Sequence, residues 1–457
     1  MLLRLLTFIL FFSRLAFANP EGGVVSSGIA HINESGSRVE IIQESPKALI
    51  DWNSFDIQAG EETAFIQPSN DAITVNRIHS IDPSVINGKI DANGNILLLN
   101  NHGILFGENA QINVGGLIAS TSSAKDDVLL SDEMHIEEFA APEVRNETYI
   151  LKQYTNVDGE QIEEVFEKAY TVQDEVYVEN RGNITVRDGG NVVLAAPKVK
   201  NSGSISANLG KVQLGSGEKL TVDLTQGGLV KMVVDNNIIE RQIQNTGIIE
   251  ANEGVVELTI PDLDERIQMQ SIDNSGEIIA SYGSINIDAG NSAMINNTGH
   301  ISVTSDEGGE IYLNARTIDN SGKIEAKGTN GKGGYVEVNV QKGYVAPEKG
   351  KITVSGATEG GEVYVGGSEN SNFYNSGTIK AKGKDSLSKG GKVAVETNKI
   401  HVAGGKFEVS SVGDAGSIKL GDREKTVETF INPHSSIIAD SQEGLGGDIV
   451  FDSSDYT

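Results

Sequence analysis

From residue 180 onward the apolar and polar positions fall into a unit that recurs seven times. An Asn, a small residue or Arg, and a Gly precede a short alternating segment. The unit reads NRGNITV at 180, NSGSISA at 201, NTGIIEA at 245, NSGEIIA at 274, NTGHISV at 297, NSGKIEA at 320 and NSGTIKA at 375. The positions four and six after the Asn are apolar every time: Ile184/Val186, Ile205/Ala207, Ile249/Ala251, Ile278/Ala280, Ile301/Val303, Ile324/Ala326 and Ile379/Ala381. Polar residues mostly lie between them, the period of two that marks a strand with one buried face. A second alternating segment follows each unit, from Val192/Leu194 and Val212/Leu214 through Ile285/Ile287 to Val393/Val395.

Successive units lie 21 to 29 residues apart, or about twice that where one has degenerated. This is a solenoid period, and short strands joined by glycine turns predict an all-β, right-handed parallel β-helix. Its inward Ile, Val and Ala stack into one core. About 15 coils at about 4.8 Å each would extend roughly 70 Å. Asn180, Asn201, Asn245, Asn274, Asn297, Asn320 and Asn375 are then turn residues that close the corner and stack on the Asn of the next coil. The Gly two positions on is predicted to take a positive φ.

A β-helix has open sheet edges at its ends. Residues 19 to 80, with Trp52, Phe55 and Phe65 and no Asn-x-Gly unit, read as an N-terminal cap, while the last residues still read as a coil. One stretch breaks the pattern: residues 124 to 180 carry 16 acidic and four basic side chains. It reads as a small extra-helical subdomain, with a short helix over Glu160 to Tyr170 and a strand in YTVQDEVYVEN. Residues 320 to 392 hold eleven Lys against seven acidic residues. They read as a solvated edge that blocks sheet pairing, with an acidic glycan grip as the other use.

Residues 1–18, MLLRLLTFILFFSRLAFA, form a signal peptide: Arg4, an apolar run from Leu5 to Phe12, and the small-x-small site Ala16-Phe17-Ala18. The run is interrupted at Ser13-Arg14 and is short for a membrane span, so stable membrane insertion is not expected. Loss of Arg4 and Arg14 takes the net charge from −28 to −30, which argues against nucleic acid and anionic membranes as partners. There is no Cys. An exported chain without disulfides is held by packing and backbone hydrogen bonds, or is kept threadable for a second membrane crossing.

Catalytic and metal chemistry find little support. The seven His (31, 79, 102, 135, 300, 401 and 434) lack zinc spacing, and Gly446-Gly447-Asp448 is only a fragment of a calcium repeat. No metal site, cofactor or enzyme activity is expected. Asp273, Asp288 and Asp319 could neighbour one another across coils, as in a glycan-degrading β-helix enzyme, although Asp beside Asn in turns is explained by turn chemistry.

Residues 45 to 121 contain Trp52-Asn53-Ser54-Phe55, Phe65-Ile66-Gln67-Pro68-Ser69, Val75-Asn76-Arg77-Ile78, Ser84-Val85-Ile86-Asn87-Gly88, Gly103-Ile104-Leu105-Phe106-Gly107 and Val114-Gly115-Gly116-Leu117-Ile118-Ala119-Ser120-Thr121. This ordered set closely resembles the secretion domain of two-partner-secretion exoproteins, the filamentous haemagglutinin family. The likeness continues more loosely from Val192 to Asp223 and covers about half the chain. It implies export through the periplasm, passage through an outer-membrane β-barrel transporter, and folding at the cell surface into a β-helix. On this reading residues 19–250 are the secretion domain with the acidic insertion near 124–180, and residues 251–457 continue the β-helix. The family's Asn-Pro-Asn-Gly is Asn100-Asn101-His102-Gly103 here. These four, with Asn76 and Arg77, are the residues the resemblance implies for transporter recognition. An adhesin for a surface receptor or glycan is the function expected. The alternatives are the glycan-degrading enzyme and a contact-dependent toxin-delivery stalk truncated before its toxin.

Overall fold

The computed structural model describes residues 19–122, 133–136, 144–155, 161–171, 176–217, 219–223, 228–233, 240–261 and 269–456. The signal peptide expected over residues 1–18 lies outside them.

A typical coil is set by three short strands, most of which alternate apolar and polar residues. In one coil Glu277–Ile279 forms the first face, Ser284–Asp288 the second and Met294–Asn297 the third. Each strand pairs in parallel with its counterpart one coil away: Ile278 stands in register with Ile249 and Ile301, and Ile287 with Leu258 and Leu313. The first faces build a 15-stranded sheet and the other two a continuous 26-stranded one. The strands Glu310–Asn320 and Tyr335–Ala346 run through the corner between second and third faces. All fourteen apolar positions of the seven units are buried, in one core that runs from Val39 to Ala439. The chain is a parallel β-helix.

The cap is narrower than the 19–80 expectation. Val24–Ser27 lies antiparallel to Lys47–Trp52, and Ala30–Ser35 makes an antiparallel hairpin with Arg38–Gln43. From Arg38 on the strands already belong to coils, with Arg38–Gln43 parallel to Glu62–Ile66. Trp52 and Phe55 meet edge to face at 5.4 Å inside the first coil. The cap lies over the end of the first coil, with Val25, Ala30 and Ile32 packed against the core.

Three expectations are corrected. The Asn-x-Gly glycines are not among the positive-φ residues. They are small because coils approach closely there: a Cβ on Gly247 would lie 2.1 Å from the Gly203 carbonyl oxygen, and one on Gly276 2.1 Å from that of Gly247. The helix expected over Glu160 to Tyr170 is a strand, Gln161–Thr171, antiparallel to Val144–Thr155. A long hairpin satisfies the backbone of both arms and overrides the local helix preference. Finally, the 44-residue gap between Asn201 and Asn245 holds no degenerate coil. Lys198–Asn201 pairs directly with Gln242–Asn245, Ser204–Ser206 and Lys211–Gly215 stay in the rod, and only after them does the chain leave it as Lys219–Asp223 and Gly228–Val233. These two strands join Glu133–Ile136 in a three-stranded antiparallel sheet. Gly228–Val233 lies against Asn191–Ala195 and Lys211–Gly215. The extra-helical subdomain is thus assembled from two excursions, and Tyr177–Asn180 already belongs to the rod's third face. The other long gap, Asn320 to Asn375, does hold a coil, with Ile352 inside it.

Candidate functional site

The stretch that carries the family elements folds as successive coils, with Lys47–Trp52, Ile73–Ile78, Asn95–Asn100 and Gly116–Ser120 side by side in parallel. Register decides what each polar residue does. Asn76 follows Ile50 and precedes Leu98, so its amide points into the core. There its Oδ1 accepts from the Trp52 indole N–H at 3.0 Å and its Nδ2 donates to the Leu97 carbonyl at 3.2 Å. A buried amide is tolerated because both ends are satisfied. Arg77, one position on, faces outward beside Asp51. Its Nε donates to Asp51 Oδ1 at 2.6 Å and its guanidinium Nη2 to Oδ2 at 3.0 Å. His79 Nε2 lies 2.7 Å from Asp51 Oδ1, and Ser26 of the cap donates to Oδ2. Burial pushes the Asp51 carboxyl up, but hydrogen bonds from Arg77, Ser26 and His79 and the charge of Arg77 prevail and hold it well below the usual range. The cluster clamps the cap to the first two coils.

Asn100 to Gly103 is a tight turn between second and third faces. Gly103 N–H donates to the Asn100 carbonyl at 3.0 Å, and His102 N–H to Asn100 Oδ1 at 2.9 Å. Asn100 is fully buried, and its Nδ2 donates to Ser84 Oγ at 3.0 Å and the Asp82 carbonyl at 3.2 Å in the preceding coil. Gly103 sits at φ 119°, a value side-chain-bearing residues resist. Asn101 is half-buried and His102 exposed. Of the six residues named for recognition, the folded coil hides Asn76, Asn100 and Gly103, and offers Arg77 and Asn101 in part and His102 openly.

The repeat asparagines form a ladder. Asn180 donates to Asn201, Asn201 to Asn245, Asn245 to Asn274, Asn274 to Asn297 and Asn297 to Asn320, each Nδ2 to Oδ1 at 2.8 Å. All are buried. The ladder stops where the degenerate coil puts Ala346 next in register; Asn320 donates instead to Tyr344 Oη at 3.3 Å. Asn375 stands apart, accepting from Gly377 N–H at 3.2 Å in its own turn.

The three aspartates do not assemble. Asp273 and Asp319 share a row on the third face with Asn296 between them, while Asp288 lies on the second face and accepts from Asn314 at 2.8 Å. Among the described residues no group of three or more His, Asp or Glu could hold a metal ion. Sequence reasoning missed Asp51 and a buried amide–hydroxyl chain, in which Thr74 Oγ1 donates to Gln43 at 2.6 Å and Gln67 Nε2 donates to Thr74 at 3.0 Å. Gln43, Gln67 and Thr74 amid apolar strands were the available signal.

The sequence model of the TPS secretion domain matches residues 16–303. A heme/hemopexin-binding protein of Haemophilus influenzae (strain Rd) is 34% identical over 235 residues, 51% of this chain and 23% of that protein. Another protein of that name from Haemophilus influenzae is 42% identical over 87 residues, 19% of this chain and 9% of its own. The aligned parts thus span less than a quarter of these relatives' length. The crystal structure of the HMW1 secretion domain from Haemophilus influenzae superposes with a TM-score of 0.63 at 22% identity, over 95% of this chain and 100% of that one, a likeness of fold.

Proposed function

Since the chain belongs to the TPS secretion domain family, we propose that it is the export-directing and surface-folding part of a two-partner-secretion exoprotein, an adhesin for host or bacterial surfaces. Its partners on this reading are an outer-membrane β-barrel transporter and a surface receptor or glycan. The observation that carries the export reading is the family match over residues 16–303, which includes the whole capped front of the rod. Asn76 and Asn100 face inward once the coils close. The transporter therefore reads them in the chain before it folds, and afterwards the same residues hold the first coils together.

The test is surface release from cells expressing the matched transporter. Asn100→Ala with Gly103→Ala should leave the chain in the periplasm, while Ile278→Asp, a lesion in a later coil, should reach the surface and fold poorly there. Normal release of the first variant sinks the recognition role of the turn. Equal retention of both shows that folding alone governs export.

A second reading has one observation behind it, the 34% identity to a protein named for heme and hemopexin binding. On that reading the exported chain captures a haem carrier. Immobilised hemopexin, with and without haem, separates it from adhesion: retention of the purified chain supports capture, and adherence to cells without such retention supports the adhesin.

A further inference from the structure

The first face changes character along the rod. Over three consecutive coils its outward residues are Ser204, Ser206 and Asn208, then Ile248, Glu250 and Asn252, then Glu277, Ile279 and Ser281, with no lysine. The next coils differ. Register places His300, Lys323, Lys351, Thr378 and Lys406 in one outward row. Ser302, Glu325, Thr353, Lys380 and Glu408 form the row beside it, and Lys327 and Lys382 extend the face at the strand ends.

The two glutamates lie low among these cations. Glu408 meets Lys382 at 2.7 Å, Lys406 at 3.0 Å and Lys380 at 3.6 Å; Glu325 meets Lys327 at 2.6 Å and His300 at 3.0 Å. Each carboxylate is shared, so positive charge is left over. Lys323 and Lys351 stand in direct register, and among the described residues neither has a carboxylate within ion-pair distance.

Like charges at registered positions destabilise a sheet. The expected purpose of such lysines, shielding an edge from pairing, does not apply: Lys323–Glu325 is paired on both sides, to His300–Ser302 and to Lys351–Thr353. A chain of net charge −28 nevertheless concentrates lysine here.

We propose that this face binds an extended acidic polysaccharide carrying uronate or sulfate groups. The row from His300 to Lys406 crosses five coils, a flat strip roughly 19 Å long at about 4.8 Å per coil. A strip without walls suits a chain that makes many shallow contacts, whereas a small anion needs enclosure. On the adjoining second face Glu310 and Glu337 accept from Tyr312 and Tyr335, while Glu362 is paired with Lys332 and Lys392 and Glu396 with Lys419. A basic strip only a few residues wide suits a slender polymer with spaced charges better than the broad backbone of a nucleic-acid duplex.

This inference deepens the surface-binding reading, and the test uses purified chain so that export plays no part. Heparin, a sulfated uronate polymer, is titrated against wild type, against Lys323→Gln with Lys351→Gln, and against Lys342→Gln with Lys425→Gln, an equal charge change elsewhere. The first variant should bind about tenfold more weakly, with a shallower salt dependence, while the second and an uncharged dextran control stay at the wild-type and zero levels. Matched circular dichroism checks the fold. No heparin binding by wild type overturns the proposal, as does equal weakening in both variants or tighter binding of duplex DNA than of heparin. Retention of haemless hemopexin-free chain on cells despite a failed heparin titration would leave adhesion standing and remove this face from it.

Discussion

In the front of the rod the second face is buried on both sides, and in the rear it is wet on one. Leu49, Val75, Leu97, Ile118 and Val193 form one outward row, every member 7% exposed or less. The same row continues through Asn286, Glu337, Ala394 and Lys419, which are half-buried or exposed. The front coils therefore carry a second apolar layer outside the core, and Gly228–Val233 covers its Val193 end. A solenoid coil needs only an inner core to stack. The outer layer marks the part of the chain that also holds an accessory sheet, and that part lies within the region matched to the secretion domain.

The largest effect should come from charging the two versions of that row. Leu97→Asp buries an unpaired carboxylate and should cost several kcal/mol, whereas Asn286→Asp should stay within about 0.5 kcal/mol. Denaturant midpoints of the two variants check this, and similar shifts would break the comparison.

Acid tests both ends of the rod. Asp51 in the front and Glu408 in the rear are both held below their usual range, Glu408 at about 2 against burial by Lys382 and Lys406. A depressed carboxyl stabilises the fold above its unfolded value and loses that contribution as pH falls toward its folded value. For Glu408 the window runs from 4.5 down to about 2, and its contribution is lost across that window. Glu408→Gln should flatten the pH dependence of rear-coil stability in that window. An unchanged profile would remove Glu408 from the account.

A smaller effect sharpens the picture within the repeats. Asn245→Ala leaves the Asn201 amide N–H and the Asn274 carbonyl oxygen unpaired in the core and should cost about 2 kcal/mol. Asn375→Ala, outside the ladder, should cost less than about 1 kcal/mol. Thermal melts of the two variants compare them directly.

These differences set how much could be read from sequence. Alternation works where one side of a strand meets water, so Ile278/Ala280 and Val393/Val395 were legible as inward positions and the β-helix followed. Asn95–Asn100 and Gly116–Ser120 do not alternate because both sides are dry, and there family elements rather than period gave the reading. Asparagine stacking was legible from its spacing. The glycine's reason was not, since close approach of two backbones and a left-handed φ favour the same residue. The Asp51 cluster joins Ser26, Arg77 and His79 across different strands, a proximity that only register reveals.

Each coil's strands bond to the coil before and the coil after, so the rod resembles a one-dimensional crystal. On the export reading proposed above, the cap and first coil would be its seed and the most recently closed coil its growth face. A chain delivered from its N-terminus offers that face the next layer in order, and waits for no remote segment. The cost of a defect then depends on when its layer is laid down. A misfit at Ile96 spoils the surface on which every later coil must grow, while the same misfit at Ile418 arrives when the crystal is nearly complete.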